Sequence, residues 1–284
     1  MEIRTPAEVL EFAGDTGVAK ARKKIPSQMI LSFFAGAFIA FAAGGSTMAA
    51  HNLLANPDTF GLARVVTAVV FATGLMMVVM TGGELFTGNT LMITSVLDRR
   101  VTVRKMLLNW LLVYAGNFLG GIFIAWMMYK TGLFGVSGGL LGGMVIQIGV
   151  IKTSFSFQEA FILGILCNWL VCIAIWSSYA SRDPAGKILI IFFVISLFVV
   201  SAFEHSIANM YYIPAAILAK QNPQWVALSQ MSAEQLANLS WTSFFVKNLL
   251  PVTLGNTVAG TGMVGVLFWF ANKKGTKTSK NGSF

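Results

Sequence analysis

Two long apolar segments of the chain are each interrupted by a short polar stretch that could bind a small solute or carry a proton. The first interruption is Gly-Gly-Glu-Leu-Phe-Thr-Gly-Asn at 82–89, and the second is Phe-Glu-His-Ser-Ile-Ala-Asn at 203–209. Thr87 supplies a hydroxyl group, and His205 supplies an imidazole that titrates near neutral pH. We therefore expect His205 to donate a proton or a hydrogen bond to a passing weak acid.

The remaining titratable and sulfur-containing residues argue against catalysis. His51, the other histidine, lies at the end of an apolar segment and is expected to be solvated. Cys167 and Cys172 fall within one apolar run and are expected to be buried free thiols. Two distant histidines do not make a metal site, and one histidine beside two glutamates lacks the convergent acid–base groups of an enzyme. The sequence predicts no enzyme, no metal and no cofactor.

The composition is that of an all-α membrane protein. Of the 284 residues, 56% are hydrophobic and 11% are charged, whereas a soluble domain carries about 25% charged residues. Apolar stretches of about 20 residues recur, and each can cross the hydrocarbon core of a bilayer as a helix. The six predicted transmembrane helices are Ile30–Leu54, Val65–Val96, Met106–Tyr129, Ala160–Tyr179, Ile188–Ala219 and Phe244–Phe270.

Basic residues predict the orientation of these helices. They cluster before the first span, between spans two and three, between spans four and five, and after span six, and they are sparse in the alternate connections. This distribution places both termini in the cytoplasm of a multi-pass protein of the inner (cytoplasmic) membrane. The net charge of +9 is explained in this way, so no nucleic-acid partner is expected.

Outside the six spans, the sequence predicts three further segments. Residues 1–27 are expected to contain a short amphipathic cytoplasmic helix, and residues 28–272 are expected to form one six-span membrane domain. The Gly-rich stretch Gly132–Gly149 is interpreted as an extracellular loop, with room for a short helix at the interface. Residues 273–284 are polar and basic and are expected to be a disordered cytoplasmic tail.

An internal repeat relates the two halves of the chain, about 28–131 and about 156–272. Asn109, Leu111, Val113, Gly116, Asn117 and Gly121 recur with the same spacing as Asn248, Leu250, Val252, Gly255, Asn256 and Gly260. The two polar interruptions align as well. Because each half has three spans, the second half must enter the membrane in the opposite sense, and such inverted repeats place their functional site near the midplane.

The aligned interruptions predict that helices two and five are broken within the membrane. Glu84 and Glu204 are expected to hold the unwound loops by accepting backbone N–H bonds, since a mid-membrane carboxylate needs partners. Asn89 and Asn209 are expected to cap the half-helices that follow. Positive half-helix N-termini at the breaks suit an anion. Thr87 either lines the path or bonds a backbone carbonyl, and the spacing alone leaves both open.

Aromatic and aliphatic residues surround the interruptions and are expected to narrow the path, among them Phe71, Leu75 and Phe198. A bare ion passing an apolar constriction meets a large desolvation penalty, so such a wall favours a solute that is neutral or transiently neutralised. Lys152 either concentrates anions at the mouth of the path or is an ordinary interfacial lysine.

Three segments resemble the signature sequences of the formate/nitrite transporter family. They are the interruption at 82–89, Phe-Glu-His-Ser-Ile-Ala-Asn-Met at 203–210 and Pro-Val-Thr-Leu-Gly-Asn at 251–256, and the similarity covers essentially the whole chain. The second motif is the most specific. The first loop is Thr-Gly-Asn where some formate channels of the family have Thr-Ser-Thr, so the loop does not assign the substrate.

The resemblance implies an aquaporin-like protomer within a homopentamer, with one pore per protomer. It implies that Thr87 and His205 form the central polar site, and that Phe71 and Leu75 form the inner constriction and Phe198 the outer one. It also implies that Lys152 and Asn168 lie in the outer vestibule. Family members carry formate, nitrite, hydrosulfide, lactate or acetate, often with proton coupling at low pH.

The sequence therefore favours a passive or proton-linked formate channel in a lipid bilayer. In the expected mechanism Lys152 raises the local anion concentration, the anion reaches Thr87 and His205, and proton sharing with His205 lowers its charge between the apolar rings. A nitrite or hydrosulfide channel is the alternative within the family. A water or neutral-solute channel is disfavoured because the chain lacks paired Asn-Pro-Ala loops.

Overall fold

The described part of the chain folds into helices and short connections. The computed structural model describes residues 3–279, with side chains described from 3 to 273. The helices of the first half are α1 Pro6–Arg22, α2 Ile25–Leu54, α3 Phe60–Thr81, α4 Phe86–Asn89, α5 Ile93–Leu97 and α6 Val103–Lys130. Those of the second half are α7 Leu140–Ser154, α8 Phe157–Ala180, α9 Pro184–Val200, α10 Ser206–Ala219, α11 Pro223–Ser229, α12 Ala233–Asn238, α13 Trp241–Ser243, α14 Leu250–Val258 and α15 Leu267–Ser279.

Both predicted helix breaks are present. The chain leaves α3 through Gly82, whose φ of 72° is left-handed, and resumes as α4 at Phe86. A 3₁₀ turn over Thr90–Met92 links α4 to α5. The second break leaves α9 in the same way, with a φ of 60° at Ala202, and resumes as α10 at Ser206. The positive φ favours glycine, so the alanine holds a strained conformation at the second break.

Six helices of the described chain are long and apolar enough to cross a membrane, but they are not the six predicted spans. They include Leu133–Ser154, and they exclude the two shorter helices α9 and α10. The predicted fifth span is missing from the six because it is divided at its break. Leu133–Ser154 is included because its 22 residues join a 3₁₀ segment, the non-helical residues 136–138 and α7, and α7 alone is shorter. We therefore count α9 and α10 together as one broken crossing, in agreement with the predicted broken helix five.

The prediction that Gly132–Gly149 is a loop with room for a short helix was right that a helix is present but wrong about its extent, because most of the stretch is helical. Val136, Ser137 and Gly138 are non-helical, but the chain then forms the 15-residue helix α7. At 1.5 Å per residue, α7 is about 22 Å long, which is too short to cross about 30 Å of hydrocarbon. Much of α7 is buried, and it packs against the half-helix α10.

Helix α7 is the counterpart of α1 in the inverted repeat. Each is a short helix that immediately precedes a long crossing helix, and each carries a lysine that reaches the glutamate of the break in its own half. The buried face of α1 includes Val9, Leu10 and Ala13. That face agrees with the amphipathic helix expected within residues 1–27.

Close helix contacts also repeat in the two halves. In α2 and α6 of the first half, a Cβ at Gly120 would overlap the Phe33 carbonyl oxygen. In α8 and α14 of the second half, a Cβ at Gly255 would overlap the Phe161 carbonyl oxygen. Small residues that let helix backbones touch are typical of membrane helix pairs. These contacts fix the helices from which the site's asparagines project.

The last crossing is irregular. Between α13 and α14 the chain forms a π-helical segment at Phe244–Leu249, and a second one, Ala259–Val266, precedes α15. Helix α15 continues to Ser279, and the remainder of the predicted 273–284 tail lies outside the described residues. The disordered tail therefore stays a prediction.

Candidate functional site

The carboxylate of Glu84 is buried in a network of lysines and amides. It accepts hydrogen bonds from Lys20 Nζ at 2.8 Å, Lys23 Nζ at 2.6 Å and Asn89 Nδ2 at 2.7 Å. Asn89 Nδ2 also donates to Asn109 Oδ1 at 2.8 Å. Helix α1 is thereby tied to the first break, because both lysines come from its C-terminal end.

Glu204 has the equivalent network at the second break. It accepts hydrogen bonds from Lys152 Nζ at 2.6 Å, Asn209 Nδ2 at 2.7 Å and Asn248 Nδ2 at 3.2 Å. Asn209 Nδ2 also donates to Asn248 Oδ1 at 2.7 Å. Lys152 therefore occupies the place that Lys20 has in the first half, and no second lysine is bound to Glu204 in the described chain.

These contacts correct the roles expected for the four loop residues. The carboxylates bind lysine and asparagine side chains, not the backbone N–H groups that we expected. Asn89 and Asn209 do not cap the half-helices, because each amide donates to the glutamate five residues before it. The residues still hold the breaks together, but through tertiary contacts.

Two asparagines that we did not predict as site residues anchor the half-helices. Asn117 Oδ1 accepts from the Phe86 N–H at 2.9 Å, while its Nδ2 donates to the carbonyls of Ser32 and Glu84. Asn256 makes the equivalent three bonds in the second half. Both residues belong to the internal repeat, and that spacing was the only signal that could have found them.

Thr87 and His205 are in direct contact, although 118 residues separate them. Thr87 Oγ1 lies 3.0 Å from His205 Nε2, and both residues are buried. His205 is also the N-cap of α10, because its Nδ1 accepts the N–H of Ala208 at 3.1 Å. The inverted repeat is asymmetric here, since Leu85 and Ile207 occupy the aligned positions.

The hydrogen bonds of His205 define its tautomer. A backbone N–H is always a donor, so Nδ1 must be unprotonated and the ring proton resides on Nε2. Nε2–H then donates to Thr87 Oγ1. Thr87 Oγ1 is the acceptor in this hydrogen bond, so the hydroxyl proton of Thr87 is free to donate to a solute.

Two cavities flank this pair. The first, of about 330 Å³, lies beside α1 and is lined by Lys20, Lys23, Leu75, Leu85 and Gly88, among others. The second, of about 400 Å³, opens at the opposite end of the helices and contains His205 in its lining. Gly88 adjoins Thr87, so the two cavities approach each other from either side of the Thr87–His205 pair.

The structure places one of the three expected constriction residues in a different cavity from the one that we expected. Leu75 lines the first cavity, as expected. Phe71 was expected beside it, but Phe71 lines the second cavity with Phe198, and their ring centroids are 5.7 Å apart. Phe71 therefore belongs on the other side of the pair, one helical turn from Leu75. Leu85, which we did not single out, lines the first cavity.

Of the two residues expected in the outer vestibule, Lys152 lines a cavity and Asn168 does not. Lys152 lines the second cavity. Asn168 is fully buried, and its Nδ2 donates to the carbonyl oxygens of Asn256 at 2.6 Å and Thr87 at 3.3 Å. Asn168 thus supports the backbone that presents Thr87.

His51 is also placed differently from the expectation. It is 6% exposed, and its ring nitrogens contact the Met48 carbonyl at 2.7 Å and the Ser137 hydroxyl at 2.8 Å. The solvated His51 that we expected is therefore a buried, bonded residue. Cys167 and Cys172 are buried and free, as expected.

Membrane-length helices, two broken crossings in an inverted repeat, and cavities on both sides of a buried polar pair define a membrane channel or transporter. A model of the formate/nitrite transporter family matches residues 7–270, and this chain belongs to that family.

Named relatives and a solved structure agree with this assignment. The chain is 37% identical to formate channel FocA of Haemophilus influenzae over 271 residues, which cover 95% of each chain. It is 35% identical to formate channel FocA of Escherichia coli K12, with 94% of each chain covered. A pentameric formate channel with formate bound superposes with a TM-score of 0.78 and 34% identity, covering 87% of this chain and 97% of that one.

Proposed function

We propose that this protein is a formate channel that passes small monovalent anions across the inner membrane, with both termini in the cytoplasm. The single observation that carries the proposal is the buried Thr87–His205 contact at 3.0 Å between two cavities. The names of the relatives support formate as the solute. Nitrite and hydrosulfide remain the competing solutes of the same pore.

The tautomer of His205 supports a particular mechanism. With Nε2–H bound to Thr87 Oγ1, the Thr87 hydroxyl is free to donate to an oxygen of formate. That donation lowers the effective charge of the anion where the lining is apolar, around Phe71, Phe198 and Leu75. Protonation of His205 at Nδ1 would require release of the Ala208 N–H, so the ring is neutral at rest and acts through Thr87.

The ion pairs at the breaks and the pentameric structural neighbour support the remaining parts of the proposal. Glu84 and Glu204 hold the two breaks through ion pairs, Glu84 with Lys20 and Lys23, and Glu204 with Lys152. A homopentamer is proposed by analogy with the pentameric structural neighbour. We propose residues 28–272 as the channel domain of each protomer, preceded by the cytoplasmic helix α1.

The test is formate uptake into proteoliposomes by the wild type, Thr87→Val and Thr87→Ser. A hydrogen bond to a charged group contributes about 1.5–3 kcal/mol, so loss of the hydroxyl in Thr87→Val should slow formate uptake roughly tenfold or more. Thr87→Ser keeps the hydroxyl and should retain most of the flux. Thr73→Val, on the exposed side of α3, is the matched control and should behave like the wild type.

Each outcome bears on a different part of the proposal. Wild-type uptake of nitrite or hydrosulfide that clearly exceeds formate uptake would contradict the choice of solute. Equal formate uptake by wild type and Thr87→Val would contradict the role of the Thr87–His205 pair. Absence of uptake of all three anions would contradict the channel itself.

A further inference from the structure

The charge of the second cavity does not come from Lys152. Three charged side chains occur among the described residues of its lining, namely Arg64, Lys152 and Glu204. Lys152 Nζ is 2.6 Å from Glu204 Oε1, and both side chains are largely shielded from solvent. The net formal charge of the Lys152–Glu204 ion pair is zero, so the net positive charge of the cavity lining is that of Arg64.

Arg64 is held in place without being neutralised. Its Nε and Nη2 donate to the carbonyl oxygens of Val199 and Val200 at the end of α9. These acceptors carry no formal charge. Nη1 has no hydrogen-bond partner within the described chain, so one edge of the planar guanidinium is fixed by α9 and the other is available to a ligand. A guanidinium edge matches the two oxygens of a carboxylate.

The net positive charge of the first cavity comes from lysines. Lys20 and Lys23 share the single carboxylate of Glu84, which leaves one positive charge over, and Lys187 also lines that cavity. The second half of the repeat keeps the lysine–glutamate–asparagine network but has one lysine. Arg64, from α3, supplies the net positive charge that the second cavity would otherwise lack.

We propose that Arg64 is the anion-capture residue of the second cavity. It binds a small carboxylate or similar monovalent anion before the anion reaches Thr87 and His205, while Lys152 serves to hold Glu204 and its break. This inference rests on the proposed function, because it assigns a binding residue to the same permeation path.

The test compares initial formate uptake by the wild type, Arg64→Gln and Arg64→Lys in proteoliposomes, over a range of formate concentrations. Arg64→Gln should lower the uptake slope at low formate about three- to tenfold, because one attractive charge is lost. The maximal rate should change less than twofold. Wild-type uptake at low formate should fall as salt is added, and Arg64→Gln should lose most of that dependence. Arg64→Lys keeps the charge but not the paired donors of the guanidinium, so it should recover the salt dependence and part of the slope.

Lys130→Gln is the matched control. Lys130 is an exposed cation at the same end of the helices but outside the cavity lining, so its removal should leave formate uptake unchanged. An Arg64→Gln protein with the wild-type slope and salt dependence would overturn the inference while leaving the proposed function intact. Equal impairment of Arg64→Gln and Arg64→Lys would also overturn it, since support of α9 would then be the role of Arg64. Loss of formate uptake by the wild type itself would instead refute the proposed function.

Discussion

Replacement of Asn256 by alanine tests whether the buried asparagines hold the half-helices in place. Asn256 is fully buried. Its Oδ1 accepts from the Ser206 N–H at 3.0 Å, and its Nδ2 donates to the Gly164 carbonyl at 2.7 Å and the Glu204 carbonyl at 3.1 Å. Asn256→Ala leaves the Ser206 N–H and the Glu204 carbonyl buried without this partner, whereas the Gly164 carbonyl still accepts its hydrogen bond within α8.

The expected loss of stability follows from those two unsatisfied groups. A buried polar group left unsatisfied costs about 1–3 kcal/mol, so with partial relaxation the total is roughly 2–5 kcal/mol. For a chain of this size, each kcal/mol lowers the melting temperature by about 2 °C, so the expected decrease is roughly 4–10 °C. Because folded proteins are stable by only about 5–15 kcal/mol, this is a large share of the total.

The two free cysteines provide the assay. Cys167 and Cys172 are buried in the folded protein, so a thiol-reactive fluorophore should label them only as the protein unfolds. Melting curves of the detergent-solubilised protein can be recorded in this way for the wild type and each variant. Asn117→Ala should give a similar decrease, because Asn117 makes the equivalent three bonds in the first half. Gln221→Ala, at an exposed loop position, is the control and should not shift the curve.

A decrease below 2 °C for both Asn256→Ala and Asn117→Ala would refute the reasoning. Such a result would mean that the breaks are held by packing alone and that the repeated asparagines have little effect on stability.

Three further predictions follow from the breaks and from α1. Gly82→Ala should cost about 1 kcal/mol, because its left-handed φ has open space around it and the penalty is conformational, whereas Ala202→Gly should be neutral or slightly stabilising in the same thiol-labelling melts. Lys152→Ala should lower the free energy of unfolding by about 3 kcal/mol, because it leaves the buried carboxylate of Glu204 without its ion-pair partner. The double variant Lys152→Ala/Glu204→Gln should recover more than half of that loss, and no recovery would contradict a stabilising ion pair. The backbone N–H and hydroxyl of Thr5 lower the pKa of Glu8 below its ordinary value of 4.5, so the start of α1 is stabilised above that value and loosens as the pH falls through the lowered pKa. The protection factors of the amides at residues 7–9, which correct for the intrinsic pH dependence of exchange, should therefore fall over that range in the wild type and stay constant in Glu8→Gln.

Much of the architecture could be predicted because it depends on local composition and on spacing. A glutamate followed five residues later by an asparagine within an apolar run identifies each broken helix, with glycines beside them in the first break. The recurrence of this glutamate–asparagine spacing identifies the inverted repeat. The repeat predicts that the two breaks lie near the midplane, whereas the pairing of Thr87 with His205 was implied by the family resemblance, because the repeat aligns Thr87 with Ile207 and His205 with Leu85. These features need no knowledge of the detailed packing.

The features that could not be predicted depend on tertiary contacts. Helix α7 is rich in glycine, which lowers helix propensity, yet Gly149 lets the helix approach Ala216 of α10 closely, and this packing decides its structure. Asn89 and Asn209 were expected to be caps because asparagine is common there, but their partners lie on α6 and in the last crossing. Whether Phe71 lies on one side of the Thr87–His205 pair or on the other depends on how deep in the membrane the breaks lie. The periodicity of the sequence does not contain that information.

The account's central claim is that formate passes between the cavities at the Thr87–His205 pair. The most direct measurement is the initial rate of formate uptake into proteoliposomes at pH 7.5 and pH 5, compared between wild type and His205→Asn. The account predicts slower formate uptake by His205→Asn than by the wild type at both pH values, because the variant lacks the Nε2–H that bonds Thr87 Oγ1 and leaves the Thr87 hydroxyl proton free for the anion. A His205→Asn protein with the wild-type rate at both pH values would contradict the claim.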